Sequence, residues 1–399
     1  MLNAVQIADS IYWNGANDRS SQLFENLWPL PNGVSLNSYL IKDEKNVLID
    51  TIEPSKVDNF LKNIKLLLNE GETIDYLVIN HMEPDHSGGI SAVVKQYPDL
   101  KIIANKRTLQ LLESFYGITD NILIINDRDE ISIGKYTLQF HITPWLHWPE
   151  TMMTYVKENG ILFSGDAFGS FGALDGGIVD EELNINFYEE EMLRYFTNIM
   201  AQYSGMIEKA LIKIAKLQIN MIASTHGPIW KKYVKEVFNK YLKWSTFEAD
   251  KGVVIVYGTM YGGTEKLAET IARRLSENGI REIKVINSAT KHISFLLPEL
   301  WKYKGIILGS CAYNSGIFTP MENILAKIEH ISLGKRKLGI FGSYSWNGGG
   351  VKTIRAFAEK TDWTMVGQPI ETKGQPNNEI YEACNKLADE MAQSLNEEN

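Results

Sequence analysis

The sequence predicts an α/β chain in two parts: a mixed array of short strands and helices, then an open, doubly wound parallel sheet. Three observations carry this prediction. Short β-branched apolar runs alternate with stretches of helical spacing along most of the chain. Past residue 250 the irregular mixture gives way to regular strand–helix alternation, the pattern of a parallel sheet with crossover helices. At 399 residues, 44% of them hydrophobic, the chain is also long enough for more than one core. The boundary is expected at the polar junction 248–251, giving domains 1–249 and 250–399.

Residues 37–50 read as two short strands around a polar turn, and 54–70 carries helical spacing of apolar residues. A strand is predicted over 76–79, a helix over 90–97, a strand over 101–104 and a helix over 107–116. Short strands follow at 122–125, 136–142, 152–156 and 160–164. Long helical patterns cover 189–218 and 231–249, separated by a strand-like 220–224. In the second part the strands are 253–257, 283–287, 305–309 and 338–342, with helices over 264–278, 320–329 and 350–360. A last strand and a C-terminal helix make five strands in all.

Composition excludes several function classes. The net charge is −9, and it is uneven: residues 1–250 carry −11 and residues 251–399 carry +2. No basic run or stripe suggests a nucleic-acid partner. No apolar run is long enough to span a bilayer and no export signal opens the chain, so neither membrane nor secretion is expected. Two isolated cysteines, Cys311 and Cys384, are too few for a disulfide framework or an iron–sulfur cluster, and a reducing cytoplasm is the expected compartment.

The chemistry concentrates after the strand ending near Asn80. His81, Glu83, Asp85 and His86 fall within six residues, and Pro84 with Ser87-Gly88-Gly89 predicts a loop in which their side chains converge. His147, Asp166 and His226 each close an apolar stretch and open a loop in the same way. Together these are four imidazoles and three carboxylates with no thiolate, more than one tetrahedral zinc takes. They suit two metals sharing a carboxylate, with iron or manganese favoured over zinc. The spacing H-x-E-x-D-H with later His, Asp and His resembles the metallo-β-lactamase fold, with Glu83 where its hydrolases place a second histidine. That exchange is similar to the flavodiiron proteins, which reduce dioxygen or nitric oxide at a non-haem diiron site. The resemblance implies a metallo-β-lactamase-like αββα sandwich. His81, Glu83 and His147 would bind one iron, Asp85, His86 and His226 the other, and Asp166 would bridge them. His141 matches no ligand position and is expected to be structural. Tyr195 and Phe24-Glu25 are implied pocket residues, Tyr195 being the candidate catalytic side chain.

In the second part, Thr259-Met260-Tyr261-Gly262-Gly263-Thr264 joins a strand to a helix, and backbone N–H groups and hydroxyls at a helix N-terminus make a phosphate site. Gly258 and Gly263 have the Walker A spacing, but no Lys precedes Thr264 and Glu265 follows it, so the loop suits the lone phosphate of FMN better than a nucleoside triphosphate. Two further loops, Ser310-Cys311-Ala312-Tyr313-Asn314 and Ser343-Tyr344-Ser345-Trp346-Asn347-Gly348, follow strands of the same sheet, where doubly wound folds bind ligands. The first would meet the flavin ring edge, and Tyr344 or Trp346 would cover its face. This part resembles flavodoxin, and its position after the first part resembles the flavodiiron arrangement. The resemblance implies FMN, two irons and a homodimer or dimer of dimers. No Cys-x-x-Cys pair follows, so a separate donor is expected: rubredoxin, reduced deazaflavin or another flavoprotein. A zinc hydrolase with an accessory flavodoxin domain and an electron carrier with a structural metal site are the alternatives.

Overall fold

The computed structural model describes residues 4–397, and the chain forms two compact units, residues 1–242 and 243–399. The first is built on two sheets. One has seven strands in the order Val5–Ala8, Ile11–Trp13, Tyr39–Ile41, Val47–Ile49, Tyr76–Val78, Lys101–Asn105, Ile122–Ile125. The other has five, Glu130–Ser132, Thr137–Ile142, Met152–Val156, Ile161–Gly165 and Met221–Ser224. The central strands of both are buried on both faces, so the sheets pack face to face. Tyr39 and Phe163 meet across the gap with ring centroids 5.0 Å apart. The polar groups between the sheets are paired: the Tyr39 hydroxyl donates to the Ser224 carbonyl at 2.6 Å, and the Thr154 hydroxyl to Asn80 Oδ1 at 2.8 Å. This is the expected sandwich, with amphipathic helices such as Val57–Leu67, which buries Phe60 and Ile64, closing it.

Three local features differ from the sequence reading. Pro84–Ser87, expected as loop, winds one helical turn. Proline suits the first position of a helix because its missing N–H has no partner there. The helix expected over 189–218 is interrupted: Ile185–Tyr195 passes into a π-helical turn, Phe196–Met200, and a short 3₁₀ turn before Ser204–Ile214. The widened turn lets the neighbours Tyr195 and Phe196 both bury, the first against Phe171 and His226, the second against Tyr241. The helix expected from 231 begins at Val234, because the Asp180 carboxylate accepts from the N–H groups of Lys231, Lys232 and Tyr233 and holds that stretch as its cap.

The second unit is a parallel sheet in the order Ile283–Asn287, Asp250–Gly258, Tyr303–Tyr313, Lys337–Tyr344, with Thr364–Met365 and Ile370–Lys373 along the last strand. Its helices include Gly263–Glu277, Thr319–Ile331, Gly350–Ala358 and Asn378–Asn396. The units part between Leu242 and Lys243, inside the helix Val234–Ser245. Residues 243–249, expected with the first part, pack with the second: Trp301 Nε1 donates to the Trp244 carbonyl at 3.1 Å and Arg336 Nη1 to the Phe247 carbonyl at 2.9 Å. Two strands are longer than their apolar runs. Ala312 and Tyr313 pair with Gly316–Ile317 in a hairpin, and Ser343 and Tyr344 pair with Thr372 and Lys373, so these four residues, expected in loops, lie in strands.

Candidate metal centre

Four strand ends of the first unit meet at one edge. His81 through His86 follow Tyr76–Val78, His147 lies in the connection before Met152–Val156, Asp166 follows Ile161–Gly165 and His226 follows Met221–Ser224. The last two strands are parallel neighbours, which brings Asp166 and His226 out at the same end. Seven side chains gather there in two groups, His81, Glu83, His147 and Asp166 in one, Asp85, His86 and His226 in the other. In the first, His147 Nε2 lies 2.9 Å and His81 Nε2 3.4 Å from Glu83 Oε2. In the second, Asp85 sets Oδ1 3.4 Å from His86 Nε2 and Oδ2 3.2 Å from His226 Nε2. Asp166 stands between them. Its Oδ2 is 3.4 Å from His81 Nε2 and 3.2 Å from His147 Nε2, while its Oδ1 is 2.8 Å from His86 Nε2 and 3.7 Å from His226 Nε2. Donor atoms about 3 Å apart are what ligands each about 2.1 Å from a shared cation adopt.

The imidazoles are aimed from behind. His81 Nδ1 sits 2.9 Å from Glu150 Oε1, and His226 Nδ1 2.7 Å from the Ser35 carbonyl, which leaves each Nε2 facing the centre. Thr225 Oγ1 donates to Asp166 Oδ1 at 2.6 Å. His81 Nε2, His226 Nε2, both Asp85 oxygens and Asp166 Oδ2 are buried without a hydrogen-bond partner. Buried polar atoms are rarely left so, and a convergent set of them fits cations. His141 lies away from the centre, 2.9 Å from Gln139 Oε1.

In the second unit the predicted flavin residues lie at the C-terminal ends of the parallel strands. Gly262, at φ 81°, turns the chain into the helix Gly263–Glu277, with its N–H donated to Thr259 Oγ1 at 3.0 Å. Thr264 Oγ1 and Ser343 Oγ lie 2.8 Å apart. A Cβ on Gly263 would meet nothing nearer than Ser343 Oγ at 3.8 Å, so the helix N-terminus opens onto free space fringed by hydroxyls. Cys311 is buried, while Met260, Tyr313 and above all Tyr261 and Trp346, 90% and 78% exposed, stand at the rim. Asn314 has left-handed backbone at the hairpin turn after Tyr313, and Asn347 and Gly348 lie between the strand Lys337–Tyr344 and the helix Gly350–Ala358.

Family models agree with this division. Residues 34–227 match the ODP family beta lactamase model and residues 255–387 the flavodoxin model. An uncharacterised protein of Methanocaldococcus jannaschii is 34% identical over 98% of this chain and 99% of its own. An anaerobic nitric oxide reductase flavorubredoxin of Vibrio vulnificus is 29% identical over 97% of this chain and 79% of its own. Among solved structures, the rubredoxin oxygen:oxidoreductase of Desulfovibrio gigas superposes with a TM-score of 0.93 at 27% identity, covering 99% of each chain. The flavodiiron protein of Giardia intestinalis does so at 0.93 and 25%, covering 100% of this chain and 98% of its own. The chain belongs to the flavodiiron proteins.

The electrostatics of this flavodiiron protein favour positive charge at the centre. Burial alone would depress His81, His86 and His147, but the carboxylates outweigh it. Asp85 and Asp166 raise His86 to about 9, and Asp166 and Glu83 raise His147 to about 9. Burial would raise Asp166, yet His86, His81 and His147 hold it well below the usual carboxylate range. Tyr195 is fully buried, 5.5 Å from the His226 ring, and burial with the nearby carboxylates pushes its phenol well above 10. Phe24 packs edge-on to His226 at 5.3 Å. Glu25, at the surface, turns its carboxyl inward beside Glu83 and accepts from Trp28 Nε1 at 3.0 Å. The sequence reading named the seven central residues but missed Glu150, Ser35 and the bond from Thr225. None has a motif of its own: Glu150 is one acidic residue among many until the fold sets it behind His81.

Proposed function

We propose that this protein reduces dioxygen to water, nitric oxide to nitrous oxide, or both, at two irons in the first unit, with electrons arriving through FMN in the second. His81, Glu83 and His147 hold one iron, Asp85, His86 and His226 the other, and Asp166 spans them. The observation that carries this reading is the Asp166 carboxylate, whose two oxygens face two different imidazole groups. When bound, two ferrous ions and a reduced flavin together hold the four electrons that full reduction of one dioxygen requires. Glu83 supplies a hard anionic oxygen, which favours iron over the zinc that an all-imidazole site takes. Phe24, Phe171 and Tyr195 form an apolar wall beside His226 that excludes water and admits a small neutral diatomic. The raised phenol pKa keeps the proton on Tyr195 Oη, which acts as the catalytic hydrogen-bond donor. In the second domain Thr259, Met260, Tyr261, Gly262, Gly263 and Thr264 receive the FMN phosphate. Residues Ser310, Cys311, Ala312, Tyr313 and Asn314 meet the ring edge, and Ser343, Tyr344, Trp346, Asn347 and Gly348 cover its face.

The names of the Desulfovibrio and Vibrio relatives support dioxygen, nitric oxide and a rubredoxin donor; reduced deazaflavin or another flavoprotein are the alternative donors. The protein works in the cytoplasm as a head-to-tail homodimer or a dimer of such dimers, with one chain's flavin loops against its partner's metal centre. Two-fold dimers are the commonest soluble oligomers, and a head-to-tail pair meets its partner twice through the same two surfaces. The test is iron and FMN analysis with dioxygen and nitric oxide consumption under one fixed reductant. About two irons and one FMN per chain with turnover is expected; zinc with esterase or lactamase activity overturns the reading. For the dimer, a metal-dead Asp166→Ala chain is mixed with a flavin-dead Thr259→Ala/Thr264→Ala chain. Recovered activity is expected, and confirmed exchange without recovery overturns it.

A further inference from the structure

The two metal groups are alike in ligand type but not in what stands behind the ligands. Behind His81, Glu150 Oε1 lies 2.9 Å from Nδ1 and also accepts the Met82 N–H at 2.9 Å. Both His81 and Glu150 are 1% exposed. Two N–H groups converge on one oxygen, which holds the carboxylate in line with the ring. Behind His226 the acceptor is a neutral carbonyl, that of Ser35, at 2.7 Å. The buried Asp50 spends its oxygens on Asn80, accepting its N–H at 2.7 Å and its Nδ2 at 3.0 Å. Among the described residues, Glu150 is thus the carboxylate bonded behind a ligating ring.

An anion on the far nitrogen of an imidazole makes the near nitrogen a stronger donor, and a stronger donor stabilises the higher oxidation state of the metal it binds. We infer that Glu150 is a positioning residue that makes the two irons unequal: acting through His81, it lowers the reduction potential of the iron held with Glu83 and His147. Each reduction is a one-electron Fe(III) to Fe(II) step. The iron with Asp85, His86 and His226 therefore takes the first electron, and the iron behind His81 takes the second. This rests on the diiron reading above.

The test is a dithionite titration of the iron-loaded protein, with the half-reduced, mixed-valent state followed by electron paramagnetic resonance. Glu150→Gln keeps an acceptor for His81 Nδ1 and removes the charge; Glu150→Asp keeps the charge and withdraws it from the ring. In Glu150→Gln the lower midpoint is expected to rise toward an unmoved upper one, so the peak mixed-valent signal falls. In Glu150→Asp the same shift is expected, but smaller. The inference is overturned if both midpoints move together, if neither moves, or if both variants fold without binding iron, the last marking Glu150 as structural only. A wild-type protein that binds no iron or gives no such signal fails the diiron reading instead, so the two failures are distinguishable.

Discussion

Replacing Asp166 by Asn separates the two metal sites with a single atom. Thr225 Oγ1 donates to Asp166 Oδ1 at 2.6 Å. An amide at this position therefore keeps its oxygen on the Thr225 side, 2.8 Å from His86 Nε2, and places its NH₂ where Oδ2 lies, 3.4 and 3.2 Å from His81 and His147 Nε2. The first group then meets hydrogens where it had an anion, while the second keeps an oxygen. Removing one partner of a buried charge pair costs about 3–5 kcal/mol, a loss of affinity for the first iron of roughly 10² to 4 × 10³-fold at about 1.4 kcal/mol per decade. Loss at the second site should be about tenfold, since only charge is lost there. Anaerobic iron analysis with chelator competition should find about one iron per chain where the parent holds about two. Asp166→Ala, which removes both oxygens, should lose both. Combining Asp166→Asn with Thr225→Val frees the amide to turn and should abolish the selectivity. The reasoning is refuted if Asp166→Asn retains both irons, or if both leave at the same chelator concentration.

Further outcomes are expected elsewhere. Glu83→His exchanges a hard anionic oxygen for a neutral nitrogen and should shift bound metal from iron toward zinc when both are offered, read by elemental analysis. Thr264→Val removes the hydroxyl 2.8 Å from Ser343 Oγ at the helix N-terminus. It should weaken FMN about tenfold while leaving riboflavin, which lacks the phosphate, unchanged in a flavin fluorescence titration; equal weakening of both would place the phosphate elsewhere. Arg336, 1% exposed, donates to the carbonyls of Leu300, Trp301, Phe247 and Gly334. Arg336→Met strands these acceptors at a cost of about 3–5 kcal/mol, lowering the melting temperature of the second unit by about 10 °C. The release of FMN fluorescence on heating reports it, and a fall below about 3 °C contradicts the assignment.

The central residues were readable from sequence because His81, Asp166 and His226 each follow a buried apolar strand, and a strand's end is a local property, while Glu83, Asp85 and His86 are grouped with His81 within six residues. The strand–helix alternation of the second unit was readable for the same reason, since period and length are written along the chain, whereas the order of its strands was not. The N-terminal strands before residue 37 were not, being only two to four residues long, too short for an apolar period to register. The hairpin Leu23–Phe24 and Trp28–Pro29, which brings Phe24 to His226, was missed likewise.

What the sequence by itself determined is therefore the inventory and its chemistry: a hard imidazole and carboxylate donor set, a hydroxyl-rich turn at a helix N-terminus, and two folds of different periodicity. Only the tertiary structure decided the pairing. That Asp166 turns one oxygen to each group, that Thr225 pins one of them, and that Glu150 stands behind His81 while Ser35 stands behind His226 are contacts between residues tens to nearly two hundred positions apart. Periodicity and spacing report only neighbours along the chain. Which atom faces which across two packed sheets follows from how those sheets close over a shared core.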